Sequence, residues 1–173
     1  MIDIMGALPL MYAHPVTRQI IDMLLTQGCW YEIFTHEPVT TSEEAARVRP
    51  EYTLEQGAKA LIVKVEHKDG RYGLVMLVLP AHLKLNSKKV RSALHIRGFR
   101  FATEDEVKTQ TKGVERGGVP PFGDLFDMPV YVDKTLLSNE KIIFNAGDRS
   151  VSVAMLCADY VRIVEPQLVD IHA

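Results

Sequence analysis

Hydrophobic positions along the chain change period several times, and each change marks an element. Behind His14-Pro15, the residues Ile20, Ile21, Leu24 and Leu25 recur at helical spacing within Val16–Gly28, and Gly28 closes the pattern. Trp30–Phe34 reads as a strand. Thr41-Ser42-Glu43-Glu44 has the form of a capping box and opens a short helix, Ser42–Val48. Two runs rich in Val, Ile and Leu follow, Ala58–Glu66 and Tyr72–Leu79. Asp69-Gly70 between them predicts a hairpin, and Pro80 stops the second strand. Asn86-Ser87 caps a helix reaching to around His95, and Phe99–Ala102 is a short strand. A second capping box, Thr103-Glu104-Asp105-Glu106, opens a helix ending near Thr111. Pro129–Asp133, Lys141–Asn145 and Ser150–Met155 are further strands, and Cys157–Val164 is a last helix before Pro166. Helices interleave with antiparallel hairpins, which predicts an α+β domain rather than a doubly wound sheet.

Composition adds one core to this pattern. The chain has 173 residues, 47% of them hydrophobic and 24% charged. A chain of that length buries roughly 70% of its unfolded surface and folds without metal or disulfide. Cys29 and Cys157 have no CxxC or Cys/His spacing around them, so both are expected as buried thiols. Nothing approaches the ~18 consecutive apolar residues of a membrane span. Met1–Ala13 carries Asp3 and no basic leader, so a cytoplasmic protein is expected.

Charge is unevenly spread. The net charge is −2, yet nine basic residues fall between Lys84 and Arg116 against four acidic ones. Lys84, Lys88, Lys89 and Arg91 form the densest group. A basic middle on an acidic body suits a phosphate backbone; solvated helix faces would carry the same residues with no partner.

Familiar hydrolase and nucleotide motifs are missing. The six histidines form no HExxH pair, and neither a GxSxG elbow nor a Walker A loop appears. No metal and no cofactor is called for. Three other features stand out. Gly117-Gly118-Val119-Pro120-Pro121-Phe122-Gly123 combines paired glycines, which let backbone approach a ligand, with prolines that stiffen it. Such a loop can present N–H groups to a carbonyl or oxyanion, although a structural turn has the same composition. Lys59 stands at the mouth of an apolar strand, where its ammonium either enters a cleft or snorkels to solvent. Phe144–Ser150 predicts a tight turn.

In this order and spacing, these segments resemble the YbaK/prolyl-tRNA synthetase editing-domain family from about Trp30 to Val164. His36-Glu37-Pro38, the Thr41–Ala46 helix start, the Gly57–Lys64 strand, the Gly117–Pro121 loop and Phe144-Asn145-Ala146-Gly147 carry the likeness. The resemblance implies a mixed α+β fold with a partly open barrel of six or seven strands flanked by helices. It divides the chain into an N-terminal extension, 1–14, and one editing domain, 15–173. It implies a hydrolase that deacylates mischarged tRNA in the service of translation fidelity, with tRNA as partner and an aminoacyl-tRNA synthetase as a second candidate. A non-catalytic module that binds aminoacyl-tRNA or a synthetase would use the same groove.

For the site, the resemblance implies that Lys59 contacts the acceptor end or the aminoacyl group. Backbone N–H groups of the loop at Gly117, Gly118 and onward to Pro121 would hold the ester carbonyl. Asn145, Gly147 and one of Ser150 and Ser152 would line the side-chain end, with His36 closing the pocket. Lys84, Lys88, Lys89 and Arg91 are the expected tRNA contacts. Members specific for alanine carry Lys-Asn-Leu where this chain has Lys59-Ala60-Leu61. Cysteine, alanine, serine, threonine or another residue therefore stays open as the amino acid removed.

Overall fold

A computed structural model describes residues 13–173. The expected extension, 1–14, lies outside the described residues apart from its last two, of which Ala13 is buried. His14 caps helix α1 (Pro15–Thr26) by accepting from the Val16 N–H, with proline at the first turn. This helix buries Val16, Thr17, Ile20 and Leu24, while Leu25 is left on the surface.

The eight strands among the described residues form two sheets. The smaller holds β1 (Tyr31–Thr35), β6 (Lys141–Asn145) and β7 (Val151–Leu156), antiparallel, with β7 in the centre. The larger has the order β4-β2-β3-β5-β8. Here β2 (Ala58–His67) and β3 (Tyr72–Pro80) make the expected hairpin, and β4 (Ile96–Phe101) lies antiparallel to β2. Strands β5 (Val130–Asp133) and β8 (Gln167–Val169) extend it with parallel pairs. The mixed α+β class holds. The strands do not close into a barrel: a single parallel bridge, Gly57 to Ile143, links the two sheets.

Both faces of the larger sheet are covered. Along β3, Met76 and Val78 enter the main core with α1 and Phe144, whereas Val75 and Leu77 enter a second cluster. That second cluster holds Val90 of α3 (Ser87–Leu94). Burial on both sides is why β3 reads as a continuous apolar run. The two capping boxes form as expected and start α2 (Ser42–Val48) and α4 (Glu104–Gln110). The final helix, α5 (Cys157–Val164), places Tyr160 in the core. Its ring meets Phe122 edge-on at 5.5 Å, and its hydroxyl donates to the Pro121 carbonyl at 2.7 Å. The glycine–proline loop is thereby pinned to the interior.

Candidate active site

The Gly57–Ile143 bridge marks the floor of a cavity of about 250 Å³. Its wall is drawn from α2, the start of β2, the end of β6 and the glycine loop. Lys59, Gly117 and Asn145 all line it. Three segments that are 28 to 58 residues apart in sequence thus share one space, set among small apolar side chains such as Ala45, Ala58, Ala60 and Ala81.

Lys59 is half-buried. Its ammonium donates to the carbonyls of Leu83 at 2.7 Å and Ala81 at 3.2 Å, in the turn that follows β3. Burial lowers its pKa; nearby Glu43 opposes that shift, and Lys84 adds to it. As an ammonium, with three N–H bonds, Lys59 gives two to this turn and keeps one in reserve.

The turn after β6 clamps the glycine loop from the other side. Asn145 Nδ2 donates to the Gly117 carbonyl at 2.7 Å, the Gly147 N–H to the Gly118 carbonyl at 2.8 Å, and Arg149 Nε to the Arg116 carbonyl at 2.8 Å. Three consecutive carbonyls are therefore occupied by one segment. The Gly118 N–H is spent as well, on the Glu115 carbonyl at 2.9 Å. Gly117, at φ +89°, and Val119 line the cavity, and neither N–H has a protein acceptor among the described residues. The loop's free donors are thus those of Gly117 and Val119, and Gly118 serves the turn.

Behind Asn145 lies a polar knot centred on Ser152, which is fully buried. Its hydroxyl meets His36 Nε2 at 2.7 Å, Arg49 Nη1 at 3.1 Å and Asn145 Oδ1 at 3.2 Å. His36 Nδ1 faces the Glu37 carbonyl at 2.8 Å, so that nitrogen carries hydrogen. The Ser152–His36 contact has the spacing of a nucleophile and its base. Ser152 does not line the cavity, however, and is fully buried. Ser152 and His36 stand behind the wall and hold its residues.

Other expected residues also fall outside the wall. Pro121 is buried beneath Tyr160. Ser150 closes a local turn on Asp148 at 2.6 Å. Gly147, at φ +91°, lets α1 pack closely, since a Cβ there would lie 3.0 Å from Val16. Lys84, Lys88 and Arg91 are exposed and make no ion pair among the described residues, whereas Lys89 pairs with Asp170 at 2.8 Å. Lys84 directly follows the carbonyl that anchors Lys59 and precedes the basic start of α3 in the chain.

One wall residue has no signal in the sequence. Arg49, the C-cap of α2, is 7% exposed and lines the cavity. A lone arginine after a helix reads as surface, and only the fold turns it inward.

Among the described residues, Asp133, Asp170 and His172 have the spacing of metal ligands. Asp133 is already satisfied by the N–H groups of Thr135, Ile171 and His172, and it fixes the C-terminal segment. None of the three lines the cavity. Cys157 is a buried thiol as expected, and Cys29 is half-exposed; both are free.

Residues 36–163, which include the whole cavity wall, match the family model of the aminoacyl-tRNA editing domain. The chain belongs to this family. Editing-domain membership makes it an aminoacyl-tRNA deacylase, a hydrolase of ester bonds. The multifunctional Ser/Thr-tRNA deacylase ProXp-y of Escherichia coli K12 is 36% identical over 159 residues, covering 90% of this chain and 92% of that protein. A proline–tRNA ligase of Bordetella petrii is 29% identical over 94 residues, 54% of this chain and 16% of the ligase. The fold also matches a crystal structure of a candidate trans-editing enzyme for prolyl tRNA synthetase. That match has a TM-score of 0.75 at 21% identity, over 92% of this chain and 98% of that one. No helix among the described residues is long and apolar enough to cross a membrane.

Proposed function

We propose that the chain removes serine or threonine from the 3′ end of a mischarged tRNA, using the cavity between Lys59 and Gly117. The observation that carries this reading is the convergence of Lys59, Gly117 and Asn145 on one small space. A volume of about 250 Å³ suits a short side chain. The 36% identity to a Ser/Thr-tRNA deacylase favours hydroxylated ones.

Water attacks the ester carbonyl carbon, the carbonyl π electrons move onto oxygen, and the tetrahedral oxyanion collapses. The bond to the ribose oxygen breaks, that oxygen takes the proton given up by the attacking water, and free amino acid leaves the tRNA. The N–H groups of Gly117 and Val119 receive the oxyanion; one such donor is typically worth about 2.7–4 kcal/mol in the transition state. No His, Asp or Glu side chain lines the cavity. An aminoacyl ester is already activated, so a positioned water beside the neighbouring ribose hydroxyl meets the chemical demand. Lys59 holds the Ala81–Leu83 turn and directs its remaining N–H to the acceptor end.

The acceptor strand runs from there along the basic start of α3, past Lys84 to Lys88 and Arg91. Within the single editing domain, 15–173, the two sheets act as the sides of a partly open barrel, joined at the cavity floor through Gly57 and Ile143. Charged tRNA places this work in the cytoplasm. A synthetase delivering misacylated tRNA is a natural second partner, because related sequence occurs within proline–tRNA ligases.

The test is deacylation over a panel of aminoacyl-tRNAs, with wild type and Lys59→Ala. Release of serine or threonine by wild type, lost in the variant, supports the reading. Tight binding with no release from any charged tRNA would make the chain a capture module instead.

A further inference from the structure

Arg49 is a buried cation that no acid offsets. It is 7% exposed, makes no ion pair among the described residues, and gives Nε to the Ala45 carbonyl at 3.0 Å and Nη1 to Ser152 at 3.1 Å. A guanidinium has five N–H bonds, so three have no protein acceptor. Nη2, which carries two of them, is not sealed in protein: Thr17 Oγ1 is the one buried side-chain polar atom without a partner among the described residues. The unused edge of Arg49 opens on the cavity it lines.

Burial alone pushes its pKa down to about 10, so the group stays charged at neutral pH. Leaving such a charge half-paired is costly unless a ligand completes it. The cavity wall carries Arg49, Lys59 and Arg116 and no carboxylate, so it offers hydrogen-bond donors to oxygen atoms. Much of the wall is small, with Ala45, whose carbonyl Arg49 holds, and Ala58, Ala60 and Ala81, which suits a short side chain.

Position narrows the ligand further. Arg49 Nη1 reaches Ser152, Ser152 reaches Asn145, and Asn145 holds the Gly117 carbonyl at 2.7 Å. The guanidinium is thus tied by one hydrogen-bond chain to the loop that takes the ester carbonyl in the reading above.

Resting on that reading, we infer that the free edge of Arg49 donates to the side-chain hydroxyl of the bound aminoacyl group and so selects seryl and threonyl esters over alanyl ones. Sites that hydrogen-bond a substrate hydroxyl discriminate strongly, because the analogue lacking it leaves a buried donor unpaired. Alanyl esters would leave Arg49 in that state.

Single-turnover hydrolysis of Ser-, Thr- and Ala-tRNA by wild type, Arg49→Lys and Arg49→Met tests the inference, with thermal melts to confirm folding. Arg49→Met should lower seryl and threonyl rates roughly 10- to 100-fold relative to alanyl. Arg49→Lys should recover part of the preference. An equal loss on all three, or an unchanged ratio, overturns the role of Arg49 and leaves deacylation standing. If wild type releases no amino acid from any tRNA, the deacylase reading falls and the inference with it. Should Arg49→Met fail to fold, wild-type inhibition by amide-linked 3′-seryl and 3′-alanyl aminoadenosine decides. The seryl compound should bind at least about 10-fold tighter, and equal inhibition overturns the inference.

Discussion

Removing one oxygen from the Ser152 knot should cost more than a serine-to-alanine change usually does. Ser152 is fully buried and meets His36, Arg49 and Asn145 at 2.7, 3.1 and 3.2 Å. The hydroxyl accepts from Arg49 and has one hydrogen to give, to His36 Nε2 or to Asn145 Oδ1, and Ser152→Ala strips both bonds. His36 and Asn145 are partly exposed, and water recovers much of their loss. Arg49 is buried, and a hydrogen bond from a charged donor is worth about 1.5–3 kcal/mol. Adding a net ~0.5 kcal/mol for the one neutral partner the hydroxyl serves gives roughly 2–3.5 kcal/mol in all, a large share of the ~5–15 kcal/mol that holds a domain together. Equilibrium urea unfolding measures it, and the double variant with His36→Ala measures the coupling. Contacting residues should be non-additive by about 0.5–3 kcal/mol. A loss under about 0.5 kcal/mol, additive with His36→Ala, would refute the knot as a structural unit. Because Asn145 and Arg49 form the cavity wall, deacylation by refolded Ser152→Ala should fall on every substrate.

Acid sensitivity should come partly from Asp133. Burial raises its pKa, but hydrogen bonds from Thr135, Ile171 and His172 outweigh that and hold the carboxyl at about 2, below the ordinary 3.8. The stabilisation, ~2 kcal/mol by linkage, is fully present above pH ~4 and lost as pH falls toward 2; urea titrations of Asp133→Asn should be flatter across that window. Gly117→Ala meets no atom closer than 3.5 Å but must hold φ +89°, so it should cost ~1–2 kcal/mol. Its deacylation rate should fall by more than that loss of stability explains. Lys88→Glu with Arg91→Glu should weaken tRNA binding equally across tRNA sequences. The double change should also reduce the salt slope by about 1–2, while wild-type folding stability persists.

Helices α2 and α4 were legible because a capping box is a local signal, and the β2–β3 hairpin because Asp69-Gly70 is one too. Strand β8 was not: two of its three residues are exposed, and its parallel pairing with β5 spans 36 residues of chain. The first half of β4 was hidden by Arg97 and Gly98, which break the apolar pattern just after His95 ends α3 in the left-handed region. Lys59 and the Gly117 loop stand out in their context, whereas Asn145, an ordinary turn residue, could be picked out only through the family resemblance. Choosing between Ser150 and Ser152 required register. Ser152 pairs with Phe34 and Asn145 and turns inward, whereas Ser150 precedes the strand and belongs to the Asp148 turn. Arg49 needed the fold itself, since nothing in Arg-Val-Arg-Pro distinguishes a wall from a surface.

The most direct measurement is a crystal structure with an amide-linked 3′-seryl aminoadenosine, which keeps the carbonyl and resists hydrolysis. The seryl group should lie in the cavity, its carbonyl oxygen within hydrogen-bond reach of the Gly117 or Val119 N–H and its adenosine toward Lys59. Binding at any other surface, with that cavity filled only by water, would contradict the account.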